Sequence, residues 1–145
     1  MSLDKGDFET ESTRDELRHD MRKVITEWLH NNSSTVTDVT HREGVTVQWS
    51  IQSSATVDGG LLKSILQVGY SESRTFENTY KGIIQPGQTG RMMYTPNMHC
   101  IKGWLTTYRL EMVGDVLVRG DVELDHVPTE VFFPIDGGVF SMEYK

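Results

Sequence analysis

Cysteine is nearly absent from this sequence. Among its 145 residues there is one cysteine, Cys100, so the chain has no internal disulfide framework and no zinc site built from a cysteine cluster. Long hydrophobic runs are also missing. No stretch reaches the roughly 18 consecutive apolar residues that a membrane-spanning helix needs, and the first thirty residues lack the apolar core of a signal peptide. We therefore expect a soluble chain that, as written, is cytoplasmic or is released without a secretion signal.

Clustered positive charge is absent as well. The chain has 14 lysine and arginine residues against 21 aspartate and glutamate residues, which gives a net charge of -7. Its basic residues are scattered along the sequence, whereas a nucleic-acid-binding surface needs lysine and arginine gathered on one face. We therefore expect no nucleic-acid partner. The length and the 37% hydrophobic content suit one domain with its own core, which we predict over residues 12–145.

Residues 12–30 have the pattern of an amphipathic helix, because apolar residues recur at steps of three and four. Thr13 and Glu16 fit a capping box at its start. The polar segment before it, residues 1–11, is expected to be flexible. The apolar face should pack on the sheet of the same chain or on a partner, and it consists of Leu17, Met21, Val24, Ile25, Trp28 and Leu29.

Between residues 35 and 144 the sequence favours β-strands. The first predicted strand alternates polar residues with the apolar residues Val45, Val47, Trp49 and Ile51. Further strands are predicted at 61–76, 80–85, 91–95, 98–112, 116–124, 131–133 and 139–143, and all but the first two of these are separated by segments with glycine or proline. The predicted fold class is mainly β (α+β), with an antiparallel sheet, a sandwich or an elongated barrel-like domain and one N-terminal amphipathic helix.

A Pro-Gly segment follows the first alternating strands. It reads YKGIIQPGQTGR over residues 80–91, and its candidate loop contains Pro86, Gly87 and Gly90. Serine- and threonine-rich strands precede it, and a glycine-bearing strand, residues 101–104, follows. This order over residues 44–110 resembles the strand region of pore-forming proteins of the aerolysin/epsilon-toxin type. The resemblance implies a twisted antiparallel sheet, self-association and a hairpin that inserts into a membrane after oligomerisation.

Two segments before the Pro-Gly loop are candidates for such a hairpin. A membrane strand needs about nine to eleven residues with alternating apolar and polar side chains. The candidate membrane-facing or partner-facing residues are Val45, Val47, Trp49, Ile51, Leu62, Leu66 and Val68. Half-exposed strands of any sandwich alternate in the same way. The alternative is therefore a structural or interaction subunit of a larger particle, such as a phage, a virion or a secretion apparatus, without membrane insertion.

Catalytic motifs are hard to find in this sequence. Cys100 follows His99, but neighbouring strand residues point to opposite faces, so a thiol enzyme is a weaker alternative to a buried structural cysteine. Asp121, Glu123 and Asp125 share one strand parity and could ligate calcium, although a solvated strand face is the commoner meaning. We predict a non-enzyme without metal or cofactor, which associates with itself, with a protein partner or with a membrane surface.

Overall fold

The structure is a computed structural model that describes residues 2–54, 59–66, 69–77 and 79–145. Antiparallel strands dominate it, which confirms the predicted mainly-β fold class. In chain order the elements are β1 (Ser2–Leu17), a 3-10 turn (His19–Met21), β2 (Lys23–Val24), β3 (Leu29–His30), β4 (Thr37–His41), β5 (Val45–Gln48), β6 (Ser50–Ser53), α1 (Gly59–Leu66), β7 (Ser73–Phe76), β8 (Tyr80–Ile84), β9 (Thr89–Val113) and β10 (Val116–Tyr144).

Three long strands build the largest sheet. Its order is β1-β9-β10-β6, and the short strands β2 and β3 also pair with β9. β9 has 25 residues and β10 has 29, against about five or six for an ordinary strand. Two further sheets have two strands each, β4 with β8 and β5 with β7. Because β1 and β6 stand at the two ends of the order, this largest sheet is open.

The predicted helix over residues 12–30 is wrong. This stretch contains the end of β1, the 3-10 turn, β2 and β3. Its backbone bonds to β9: Lys23 lies opposite Tyr94, and the Ile25 N–H donates to the Met92 carbonyl over 2.9 Å. Helical periodicity is a weak signal that tertiary pairing overrides, and here pairing satisfies backbone groups on both strands. Residues 2–11, expected to be flexible, form the first part of β1.

The long strand predicted over residues 61–76 is replaced by two elements. Residues 59–66 form α1, whose Leu62 is fully buried, and Ser73–Phe76 forms β7. The apolar residues of α1 are two adjacent pairs four residues apart, Leu61-Leu62 and Ile65-Leu66. That spacing places them on one face of a helix, whereas a strand would divide them between two faces. No helix among the described residues is long and apolar enough to cross a membrane.

The chain forms two compact units. The first consists of Met1–Arg14, Trp49–Tyr70 and Cys100–Phe132, and the second of Asp15–Gln48, Ser71–His99 and Phe133–Lys145. The first unit buries a set of apolar residues that includes Leu62, Cys100, Ile101, Leu105, Val131 and Phe132. In the second unit, Val39, Ile84 and Met92 form a cluster, against which pack Ile25, Tyr80, Phe140 and Met142.

Candidate functional site

The two segments predicted to form an insertion hairpin pair through four residues each, because β7 is the end of the strand predicted over residues 61–76. Val45 and Val47 are buried in β5, which pairs with β7, while Ile51 in β6 lies opposite Val131 of β10. Trp49, between β5 and β6, is partly exposed. Two other members of the predicted set, Leu62 and Leu66, belong to α1. Val68 lies outside the described residues.

The Pro-Gly loop forms a turn between β8 and β9, as predicted. Gly87 has a φ of 76°, a conformation that glycine adopts without steric cost. Its N–H donates to the Asn31 carbonyl over 2.9 Å. Pro86 precedes it in the turn, and Gly90 lies in β9 opposite Leu29 of β3. The loop is therefore tied to the segment around β3.

The apolar residues assigned to a helix face are distributed over several elements. Leu17 ends β1, Met21 lies in the 3-10 turn, and Val24 and Leu29 are exposed residues of β2 and β3. They share no helix face, because residues 12–30 form strands and a 3-10 turn.

The remaining two of these residues have separate roles in the second unit. Ile25 packs on the core cluster. Trp28 lies under two cations, with the Arg91 guanidinium carbon 4.3 Å and the Lys145 Nζ 4.9 Å from its ring centre.

The most unusual feature of the first unit is a long hairpin, which we call the distal hairpin and define as residues 100–132 of β9 and β10. Its strands are joined by Gly114 and Asp115 alone. Gly114 has a φ of 64°, which suits the first central position of a two-residue hairpin turn, where glycine is preferred. Apart from its two neighbours in the chain, no atom of the residues that the structure describes lies within 4 Å of a Cβ placed on Gly114.

Exposure alternates along the first part of this hairpin. Ile101 and Leu105 are buried, whereas Lys102 and Trp104, which lie between them in the sequence, are exposed. Gly103 shares the buried face, and a Cβ there would collide with the Glu9 carbonyl of β1. One face of β9 is thus covered by the fold and the other is open.

Two contacts of His126 show which residues of the two hairpin strands share a face. The His126 ring stacks on the Trp104 ring, with 5.0 Å between centres and 11° between planes. Its Nδ1 is hydrogen-bonded to Thr106 Oγ1 over 2.9 Å. Even-numbered residues of β9 and β10 therefore lie on one face at this level.

Over residues 108–112 and 118–125, between this level and the turn, apolar residues at even positions alternate with charged residues at odd positions. The even positions include Tyr108, Leu110, Met112, Val118, Val122 and Leu124, whereas the odd positions include Arg109, Glu111, Arg119, Asp121, Glu123 and Asp125. Such alternation predicts one apolar and one charged face for each strand. Beside the turn, Met112 is 42%, Val113 62% and Val116 61% exposed. Sequence reasoning recognised the acidic row but missed the apolar row that alternates with it.

A cleft of about 510 Å³ lies in the second unit, beside β3, β4 and the end of β8. The side chain of the buried Asn31 forms hydrogen bonds that stabilise the wall of this cleft. The Asn31 Nδ2 donates to the carbonyls of Thr35 and Ile84 over 2.8 and 2.9 Å, and its Oδ1 accepts from the Ser33 hydroxyl over 2.7 Å. Since the Asn31 amide is committed to the fold, it is not available to bind a ligand in this cleft.

Cys100 and His99, the residues of the possible thiol enzyme, are described by their burial and their contacts. Cys100, the single cysteine of the sequence, is buried. His99 is bonded through Nδ1 to Asp15 Oδ1 over 2.6 Å, so its described partner is a carboxylate of β1. No group of three potential metal ligands occurs among the described residues.

No protein-family model and no curated protein matches this chain. A solved structure from Bacteroides vulgatus ATCC 8482, described as a "Putative pore-forming toxin", is similar with a TM-score of 0.39 and 11% sequence identity. The similarity covers 99% of this chain and 56% of that one, so the chain spans little more than half of that protein's length.

Proposed function

We propose that this chain is a non-enzymatic, self-associating β-protein whose distal hairpin inserts into a lipid bilayer. One observation carries the proposal: a long hairpin with a two-residue turn bears exposed apolar side chains at its tip. Large apolar side chains clustered on a surface are typical of sites that bind a partner or a membrane. The resemblance of residues 44–110 to aerolysin-type proteins points to the same function, although the inserting segment we propose lies farther along the chain.

The length of the hairpin fits a bilayer. A tilted membrane strand needs about nine to eleven residues. Residues 105–113 of β9 and 116–124 of β10 supply nine each beside the turn. Within these windows, the alternation at residues 108–112 and 118–124 provides apolar residues for lipid and charged residues for water, which is the pattern of membrane strands around an aqueous pore.

The charged row explains why insertion requires self-association. Arginine or lysine on a lipid-facing strand position costs about 2–4 kcal/mol at the middle of the bilayer. Arg109 lies at a charged position of β9 and Arg119 at a charged position of β10, and acids occupy further charged positions of each strand. A single inserted hairpin would expose this row to lipid, whereas several hairpins side by side would enclose it around water. Oligomerisation therefore removes the largest cost of insertion.

Dye leakage from lipid vesicles tests the proposal. Purified protein should release dye and form larger species on the vesicles. Val122→Asp places a charge in the apolar row and should abolish most of the release. Arg119→Asp introduces the same side chain in the charged row and is the matched control, which should retain release. If the vesicles retain the dye at high protein concentration and no larger species form on them, the proposal is contradicted.

A structural or interaction subunit is the second candidate. It is favoured by the open sheet, in which β1 and β6 stand at the two ends of the strand order. Edge strands can pair with a neighbouring chain through their backbone groups. Size-exclusion chromatography with light scattering separates the candidates, because a particle subunit should form the same assemblies without lipid and should release no dye.

A further inference from the structure

The Trp104–His126 stack lies at a defined distance from the turn of the distal hairpin. Nine strand steps separate Trp104 from Val113, the last residue of β9, and at about 3.3 Å per step this is about 30 Å along the strand. A strand tilted by about 40° would cover about 23 Å across the bilayer, close to the apolar band of about 25 Å in membrane-spanning strands. The stack would therefore lie at one boundary of that band when the turn lies at the other.

The side chains at this level have the chemistry of that boundary. Trp104 is 39% exposed although it is large and apolar, and its indole has a polar N–H at one edge. Such rings concentrate at the headgroup level of membranes, where one end is apolar and the other is wet. Lys102, also exposed, is the next residue on the same face away from the turn. A lysine there can extend its ammonium to the phosphate layer.

We propose that the stacked rings of Trp104 and His126 bind the headgroup boundary of the bilayer and thereby set the depth at which the distal hairpin stops. This inference rests on the proposed function. The order along the even positions of β9 supports it: a cation at Lys102, a stacked aromatic ring at Trp104, the hydrogen-bonded Thr106, and then, in the sequence, the apolar residues Tyr108, Leu110 and Met112. Lipid, and no protein partner, is the occupant that matches this succession of charged, aromatic and apolar residues over one bilayer thickness.

Tryptophan quenching by brominated lipids tests the depth. The chain has three tryptophans, so the Trp104 signal is the emission difference between wild-type protein and Trp104→Phe in phosphatidylcholine vesicles. Bromines near the headgroup should quench this signal more than bromines deep in the acyl chains. Trp49→Phe, which alters a tryptophan outside the distal hairpin, is the matched control and should leave the depth dependence unchanged. A Trp28→Phe/Trp49→Phe variant, which keeps Trp104 alone, gives an independent measurement if Trp104→Phe fails to fold.

The outcomes separate this inference from the function on which it rests. If dye leaks but deep bromines quench Trp104 as much as shallow ones, or aqueous iodide reaches it fully, the depth assignment is overturned and pore formation stands. If neither leakage nor quenching occurs, both are overturned. Trp104→Ala should in addition weaken vesicle binding by about tenfold, or about 1.4 kcal/mol, and Trp104→Tyr should restore most of it.

Discussion

At the scale of single residues, burial and bonding restrict the chemistry that each side chain can perform. Cys100 is buried, and His99 is bonded to Asp15. Tyr94 is buried as well, next to the backbone of Gly138. These surroundings lead to two predictions.

Cys100→Ser should leave membrane activity intact while lowering the free energy of unfolding. The cost should be about 1–3 kcal/mol, because serine places a more polar group than a thiol in a buried position. Urea unfolding and dye leakage measured on the same preparation check both parts. Complete loss of activity with unchanged folding would defeat the non-enzymatic proposal.

Tyr94→Phe should reduce the sensitivity of the protein to alkaline pH. Burial raises the pKa of Tyr94 above the ordinary value of 10.0, and the charge of Asp136 raises it further, while Arg74 acts in the opposite direction. The unfolded chain therefore loses this proton at a lower pH than the folded protein. The contribution of Tyr94 to the free energy of unfolding is complete below pH 10.0 and is lost as the pH rises above that value.

Unfolding followed from neutral to alkaline pH measures this effect. Tyr94→Phe should flatten the alkaline decline. Tyr144→Phe, at a tyrosine that is 45% exposed, is the control and should keep the decline. An equal decline in wild type and Tyr94→Phe would show that ionisation of Tyr94 does not control it.

At the scale of elements, local periodicity predicts strands better than it predicts their partners. The alternation at residues 45–48 predicts β5, and the Pro-Gly segment predicts a turn. Each of these signals is local, because it depends only on neighbouring residues in the sequence. The predicted helix at residues 12–30 is wrong because the backbone of this segment pairs with β9, about sixty to seventy residues later in the chain. The sequence contains no local signal of that pairing.

Gly114→Val should destabilise the distal hairpin, because a residue with a side chain pays about 1–2 kcal/mol at positive φ. The midpoint of urea unfolding measures the loss. Gly69→Val is the matched control, since a Cβ there meets no atom within 4 Å among the described residues beyond its chain neighbours, and Gly69 has no positive φ. Equal midpoints for the two variants would contradict the role of Gly114 in the turn.

At the scale of the whole molecule, the alternation that defines the candidate site is visible in the sequence, whereas the length of its strands is not. The period-two rows at residues 108–112 and 118–125 can be seen in the sequence. The continuity of β9 over 25 residues and β10 over 29, and their pairing across one short turn, emerge only from the fold. β9 contains Pro96 and β10 contains Pro128. Because proline is rare inside strands, the sequence predicts strand ends at these residues.

The most direct test of hairpin insertion is an environment-sensitive dye placed along β10. Cys100→Ser removes the sole cysteine, so single cysteines can then be introduced at residues 118–125 and labelled. On binding to vesicles, labels at Val118, Val122 and Leu124 should shift to lipid-like emission, while labels at Arg119, Asp121 and Glu123 should remain water-like. The same emission at both sets of positions, or no change on adding vesicles that leak dye, would contradict insertion of this hairpin.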